Sequence, residues 1–249
     1  MLVLLPPSET KRPGGTGTPF DLAALGFPSL SPQRLAVVDA LVALSGDEET
    51  AARVLKLSPR RRHEIDDNAV LRGAPTLPAI DRYTGVLFDA LDSASLDAQA
   101  RAWLGAHVAV HSAPFGPVGA LDGIPAYRLA ASTSLPGLPA LRRVWSAAVT
   151  SALSEAAPDF VLDLRSEAYA ALGPIPDGVE SAYVRVVTGG GDAPVRALNH
   201  FNKRTKGELV RALAVTRPTI VSREDLLAWA SGAGWPVLET GSGEIALFS

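Results

Sequence analysis

The sequence predicts an α+β fold, a single compact domain over residues 1–249 with a mixed central β-sheet flanked by helices. Three observations lead there. Short, mostly apolar runs of strand length, such as Leu2–Leu5 and Val161–Leu164, end in prolines or polar residues. Longer stretches carry apolar residues at helical spacing. The two kinds interleave without regular strand–helix–strand units, and no internal repeat or long linker divides the chain.

Leu2-Val3-Leu4-Leu5 reads as a fully buried strand closed by Pro6-Pro7, and a Gly, Pro and Thr-rich loop follows from Ser8 to Pro19. Leu35, Val38, Leu41 and Val42 recur at helical spacing between Ser31 and Leu44, with Ser31 as the expected cap and Pro32 at the first helical position. A second helix is expected from Glu48 to Leu55 or Leu57. Pro59 interrupts, and Arg60-Arg61-Arg62 opens a short polar helix. Ala79–Leu91 and Leu96–Leu104 read as helices, Val108–Val110 as a strand, and Pro139–Ala156 as a helix carrying Val144, Trp145 and Val149. Tyr183–Val187 alternates as a strand should, with a turn expected at Gly189–Gly191 and a partner beginning at Val195. Asn199–Val215 is the strongest helical pattern. Ser222 and Asp225 stand at capping-box spacing before a helix to Ala230, and Glu244–Phe248 closes as a strand.

Composition limits the chemistry. Hydrophobic residues are 47% and charged residues 20% of the chain, enough apolar material for a sizeable core. The formal net charge of −3 means that contact with nucleic acid must come from a local patch. There is no cysteine, which excludes disulfides, Cys-based zinc sites, iron–sulfur clusters and thiol peroxidase chemistry. The one methionine is Met1, so thioether scavenging is excluded too. The apolar start breaks at Pro6, and no apolar run approaches the roughly 18 residues of a membrane span, so a cytoplasmic protein with no membrane partner is expected.

Several groups of residues can carry function. Ser8, Glu9, Thr10 and Lys11 follow the first strand, where sheet-based sites form; a solvated loop accounts for the same residue types. Gly14–Gly17 lacks the Gly-Lys-Ser/Thr opening of a phosphate loop. Tyr83 and Thr84, beside Gly85, can bind an anion or stack on a base, or Tyr83 is a core aromatic. Arg128, after Tyr127, suits phosphate or carboxylate recognition, unless Asp122 neutralises it. At about 100° per residue, Asn199, Asn202, Lys203 and Lys206 share a stripe beside the buried face of their helix, a positive edge for a cleft. Gly207 costs that helix about 1 kcal/mol against alanine, as a position closely approached by something else would. Arg53, Lys56, Arg60, Arg61 and Arg62 can contact DNA phosphates, although neighbouring acids dilute them. His107 and His111 flank a strand and stand roughly 13 Å apart, so no metal site is expected, nor any cofactor.

The segments LLPPSETK (4–11), RYTG (82–85), DGIPAYRL (122–129), Trp145, LDLRSEAY (162–169) and HFNKRTKGELVR (200–211) together resemble the YaaA family in order and spacing. The resemblance implies a role in bacterial peroxide-stress resistance, linked to lower free iron. It also implies a helix–hairpin–helix-like element, mapping to residues 31–68, and DNA binding in a positively charged cleft lined by Lys11, Tyr83, Thr84, Arg128, Asn202, Lys203 and Lys206. Thr10 and Gly119 depart from the pattern, standing where relatives carry a glycine and a basic residue. Three functions follow as expectations. The first is DNA binding by phosphate contacts. The second is an enzyme acting on a small anionic, phosphate-bearing or nucleoside-like ligand, with Glu9 or Asp122 as general base. The third is a binding protein without chemistry.

Overall fold

The computed structural model describes residues 1–187, 198–241 and 243–248. In chain order it contains β1 (Leu2–Leu5), α1 (Ser31–Leu44), α2 (Glu48–Val54), α3 (Glu64–Ala69), β2 (Leu77–Pro78), α4 (Ala79–Arg82), α5 (Val86–Leu91), α6 (Ala98–His107), β3 (Val108–Ser112), β4 (Gly116–Gly119), β5 (Gly123–Ile124), α7 (Leu141–Ala156), β6 (Phe160–Asp163), α8 (Glu167–Ala170), β7 (Glu180–Val187), α9 (Leu198–Thr216), α10 (Arg223–Gly232), β8 (Val237–Glu239) and β9 (Glu244–Phe248). The expected turn at Gly189–Gly191 and strand at Val195 lie outside the described residues, as do the side chains of Asn199, His200 and Phe201.

The mixed sheet has seven strands in the order β4-β3-β1-β6-β7-β9-β8. Its inner strands β3, β1, β6, β7 and β9 are parallel, while β4 and β8 close the edges antiparallel. Val3 pairs with Val108 on one side and Leu162 on the other, so β1 sits inside the sheet. Its Val3, Leu4 and Leu5 are fully buried, which is why the run is continuously apolar rather than alternating. β7, between β6 and β9, keeps an alternating pattern, with Ala182, Val184 and Val186 buried. Trp145 of α7 is fully buried and donates its indole N–H to the Ala113 carbonyl at 3.0 Å.

Two local expectations are corrected. Ala79–Leu91 is not one helix: Tyr83–Gly85 breaks it into α4 and α5, because Gly85 takes a φ of +97°, outside the helical range. A Cβ there would meet Ser8 Oγ at 3.2 Å, so the break also brings this turn against the loop after β1. Ser31 does not cap α1; Leu30 precedes the helix, and Ser31 Oγ donates instead to the Pro28 carbonyl. At α10 the capping box forms as expected, with Ser222 Oγ accepting from Asp225 N–H and Asp225 accepting from Ser222 N–H. Residues 31–68 form α1, α2, a short 3-10 turn at Pro59–Arg61 and most of α3. Among the described residues no helix is long and apolar enough to cross a membrane.

Candidate functional site

After β1 the chain moves to β3 on one side; it later enters β6 on the other side of β1 and continues to β7. Connections therefore diverge between β1 and β6. In open parallel sheets such a switch point opens a crevice beyond the carboxyl ends of the strands. A cleft of about 870 Å³ lies there. Its walls are Pro6–Glu9 after β1, Leu164 and Ser166–Tyr169 after β6, Tyr183–Val187 of β7, Thr84–Phe88 around the start of α5, and Asn202, Lys203 and Lys206 of α9. That volume suits a ligand of nucleotide size.

The α9 wall is the cationic one. Asn202, Lys203 and Lys206, spaced i, i+1 and i+4, reach one side of the helix. Lys206 is 6% exposed, and its Nζ donates to the Leu164 carbonyl at 3.1 Å and lies 5.7 Å from the Tyr183 ring centre. Among the described residues no carboxylate lies within ion-pair distance of this amine. Burial pulls its pKa down to about 8, with Asp163 opposing the shift and Arg185 adding to it. Asn202 Oδ1 is buried with no hydrogen-bond partner among the described residues, and Lys203 is exposed. Across the cleft Arg185 is already engaged, by Glu167 at 3.0 Å and Glu244 at 2.9 Å.

Gly207 is closely approached, as its place in the helix suggested, but by protein. A Cβ there would fall well inside contact with the Leu87 carbonyl oxygen of α5. The glycine lets α9 and α5 pack backbone to backbone, which brings Lys206 to the cleft wall.

The remaining expected residues divide into two groups. Ser8, Glu9 and Thr84 line the cleft with the α9 residues, whereas Lys11, Tyr83 and Arg128 are not part of its lining. Lys11 Nζ donates to the carbonyls of Ser8 at 3.0 Å and Glu9 at 3.3 Å, and sits 4.1 Å from the Tyr127 ring centre and 5.5 Å from that of Tyr83. Burial, reinforced by Arg128, lowers its pKa to about 7. Tyr83 is a buried core aromatic whose hydroxyl meets that of Tyr127 at 2.8 Å. Arg128 does pair with carboxylates, but with Glu9 at 3.3 Å and Glu64 at 3.7 Å rather than with Asp122. Asp122 instead accepts from the N–H groups of Gly26 and Gly119, both at 2.8 Å, a structural use that removes it as a general base.

The cations of the 31–68 segment are unequal. Arg61 binds Glu64 at 2.6 Å and reaches to 3.8 Å from Glu9 at the cleft mouth, and Arg62 binds Glu48 and Glu49. Arg53, Lys56 and Arg60 are exposed.

Sequence reasoning missed the support of the β6 wall. Arg165, fully buried, grips Asp163 through Nε at 2.9 Å and through a second nitrogen at 2.7 Å. It also donates to His111 Nδ1 and to the Gly173 carbonyl, both at 2.9 Å. Burial and Arg165 hold His111 well below its usual pKa, hence neutral. The available signal was the pair of charges in Leu162-Asp163-Leu164-Arg165, where a strand end otherwise reads as wholly apolar.

Residues 1–238 match the family described as peroxide stress protein YaaA. A UPF0246 protein of Corynebacterium efficiens is 44% identical over 241 residues, covering 95% of this chain and 94% of that protein. A UPF0246 protein of Streptomyces coelicolor is 47% identical over 222 residues, covering 87% and 84%. An uncharacterized protein of Campylobacter jejuni is 26% identical over 230 residues, covering 92% and 89%. With motifs from both ends of the sequence meeting around one cleft, and with matches of this extent, the chain belongs to the YaaA peroxide-stress family.

Proposed function

We propose that the chain serves the peroxide-stress response of its family by holding a phosphate-bearing, nucleotide-sized group in the cleft between β1, β6 and α9. One observation carries this reading. Lys206 is a buried ammonium with no carboxylate within ion-pair distance among the described residues, and the acid whose charge reaches it, Asp163, is itself gripped by Arg165, so the countercharge that a buried cation needs is incomplete. A phosphate supplies that charge, and Lys203 stands one helical turn away to share it. Asn202 Oδ1, without a partner among the described residues, offers an acceptor to a hydroxyl or amino group on the same ligand.

The source of the phosphate is either a free nucleotide, bound or acted upon, or a strand of DNA. The DNA reading has support of its own. Arg53, Lys56 and Arg60 are exposed on the proposed helix–hairpin–helix-like segment, and Arg61 of that segment reaches Glu9 at the mouth of the cleft. A strand entering the cleft would continue along these cations by phosphate contacts alone.

Calorimetric titration with nucleoside monophosphates, and anisotropy with labelled single-stranded and duplex oligonucleotides, test both sources. Lys206→Met is expected to weaken the bound class by about tenfold or more. If the source is DNA, charge-neutral variants of Arg53, Lys56 and Arg60 lower oligonucleotide affinity and flatten its salt dependence without touching mononucleotide binding. Unchanged affinity for every probe in a Lys203→Ala, Lys206→Met double variant sinks the proposal.

A further inference from the structure

A second hollow of about 190 Å³ lies beside the main cleft. Pro7, Ser8, Glu9, Ala168 and Tyr169 border both spaces, and residues 129–132 form the far wall of the smaller one. The two linings differ in chemistry. The main cleft has Lys203, Lys206 and Arg185. Among the described residues no cation lines the side chamber; its polar side chains are those of Glu9, Ser8, Ser132 and Tyr169.

Resting on the phosphate reading above, we infer that this side chamber is a sugar subsite in which Glu9 reads vicinal hydroxyls, so that the preferred ligand is a ribose-type sugar phosphate or ribonucleotide. Arg128 and Arg61 beside Glu9 are already engaged by its Oε2 and by Glu64, so a second phosphate there would meet a carboxylate with no cation left over for it, whereas neutral hydroxyl donors would be matched by that carboxylate. Two adjacent O–H groups complement the two oxygens of a carboxylate, the same pairing by which an acidic residue holds the ribose of a dinucleotide.

Glu9 is built for that task. Its side chain is 68% exposed, yet its Oε2 is held by Arg128 at 3.3 Å and Arg61 at 3.8 Å. Among the described residues no donor engages Oε1. Burial works against its ionisation, but the Arg128 hydrogen bond and the charges of Arg128 and Arg61 prevail and keep its pKa below the usual value. The carboxylate is therefore charged, held in place at the border of the two spaces, and has acceptor capacity to spare.

The test titrates adenosine 5′-monophosphate and 2′-deoxyadenosine 5′-monophosphate, with inorganic phosphate as a third probe, against the unaltered protein, Glu9→Gln and Ser132→Trp. The expected result is a preference of about tenfold for the ribonucleotide in the unaltered protein, with the ratio collapsing towards one in Glu9→Gln. Ser132 is exposed, so Ser132→Trp fills the chamber at little cost to folding and gives the same collapse independently. Equal affinity for the two nucleotides, or a ribose preference that survives both substitutions, overturns the inference while leaving the phosphate reading in place. If no probe binds the unaltered protein, both readings fall.

Discussion

Lys206 and Lys11 are chemically alike in sequence, and of the two only Lys206 lines the cleft. Lys206 borders open space and, with its pKa near 8, loses its proton just above neutrality. An anion beside it favours the charged form, so ligand affinity should fall as the pH rises through about 8. Titrations across that range check this, and Lys206→Met should give a weaker but flatter profile. Lys11 is enclosed by Tyr83, Tyr127 and the Ser8–Glu9 carbonyls, with a folded pKa near 7 against an ordinary 10.5. Between those values the unfolded chain binds more protons than the folded one, so stability rises with pH across the window. Urea melts kept below pH 10, before the ordinary tyrosine ionisation enters, should show Lys11→Met reducing that rise. The residue types of the site were legible at this scale, since both lysines and Glu9 stand out in the sequence. Their partners were not. Whether Arg128 meets Asp122 or Glu9 depends on chain segments more than a hundred residues apart, which spacing does not encode.

Elements with their own local signals were the easiest to read. The Ser222–Asp225 box is a short-range pattern of hydrogen bonds and formed as its spacing implied. The split between α4 and α5 was obscured because Ala79–Leu91 is apolar at helical intervals on both sides of the break, so periodicity continues while the backbone does not. Gly85 carried the only cue, and it takes its meaning from the contact with Ser8. At Gly207 the cue was read as a close approach, and α5 is what approaches. Gly207→Ala should therefore push α9 from α5 and destabilise the protein by about 1–3 kcal/mol, as overpacking does, although helix propensity alone predicts a gain of about 1 kcal/mol for that change. Chemical denaturation measures the cost, and a rise in stability would contradict this packing.

For the molecule as a whole, the mixed sheet follows from interleaved patterns, but the strand order does not. Leu2–Leu5 announces burial on both faces without naming its neighbours, and only β3 and β6 on either side of it create the crevice. Asp163, Arg165 and His111 then fix the loop after β6, tying it to β3 and to the Gly173 carbonyl. Removing one charge from this buried pair leaves the other uncompensated. Asp163→Asn is expected to cost about 3–5 kcal/mol in urea denaturation, with loss of the cleft's ligand affinity even where Lys206 is intact. A near-neutral change would show that the pair is dispensable to the wall.

The position of β1 at the switch point reaches into how the protein is made. β1 emerges from the ribosome before β6, one of its neighbours, and before α9, the cleft's cationic side. During synthesis the cleft lacks its cationic wall until α9 has emerged, and a nascent chain halted before α9 carries the amino-terminal motif without Lys203 and Lys206 opposite it.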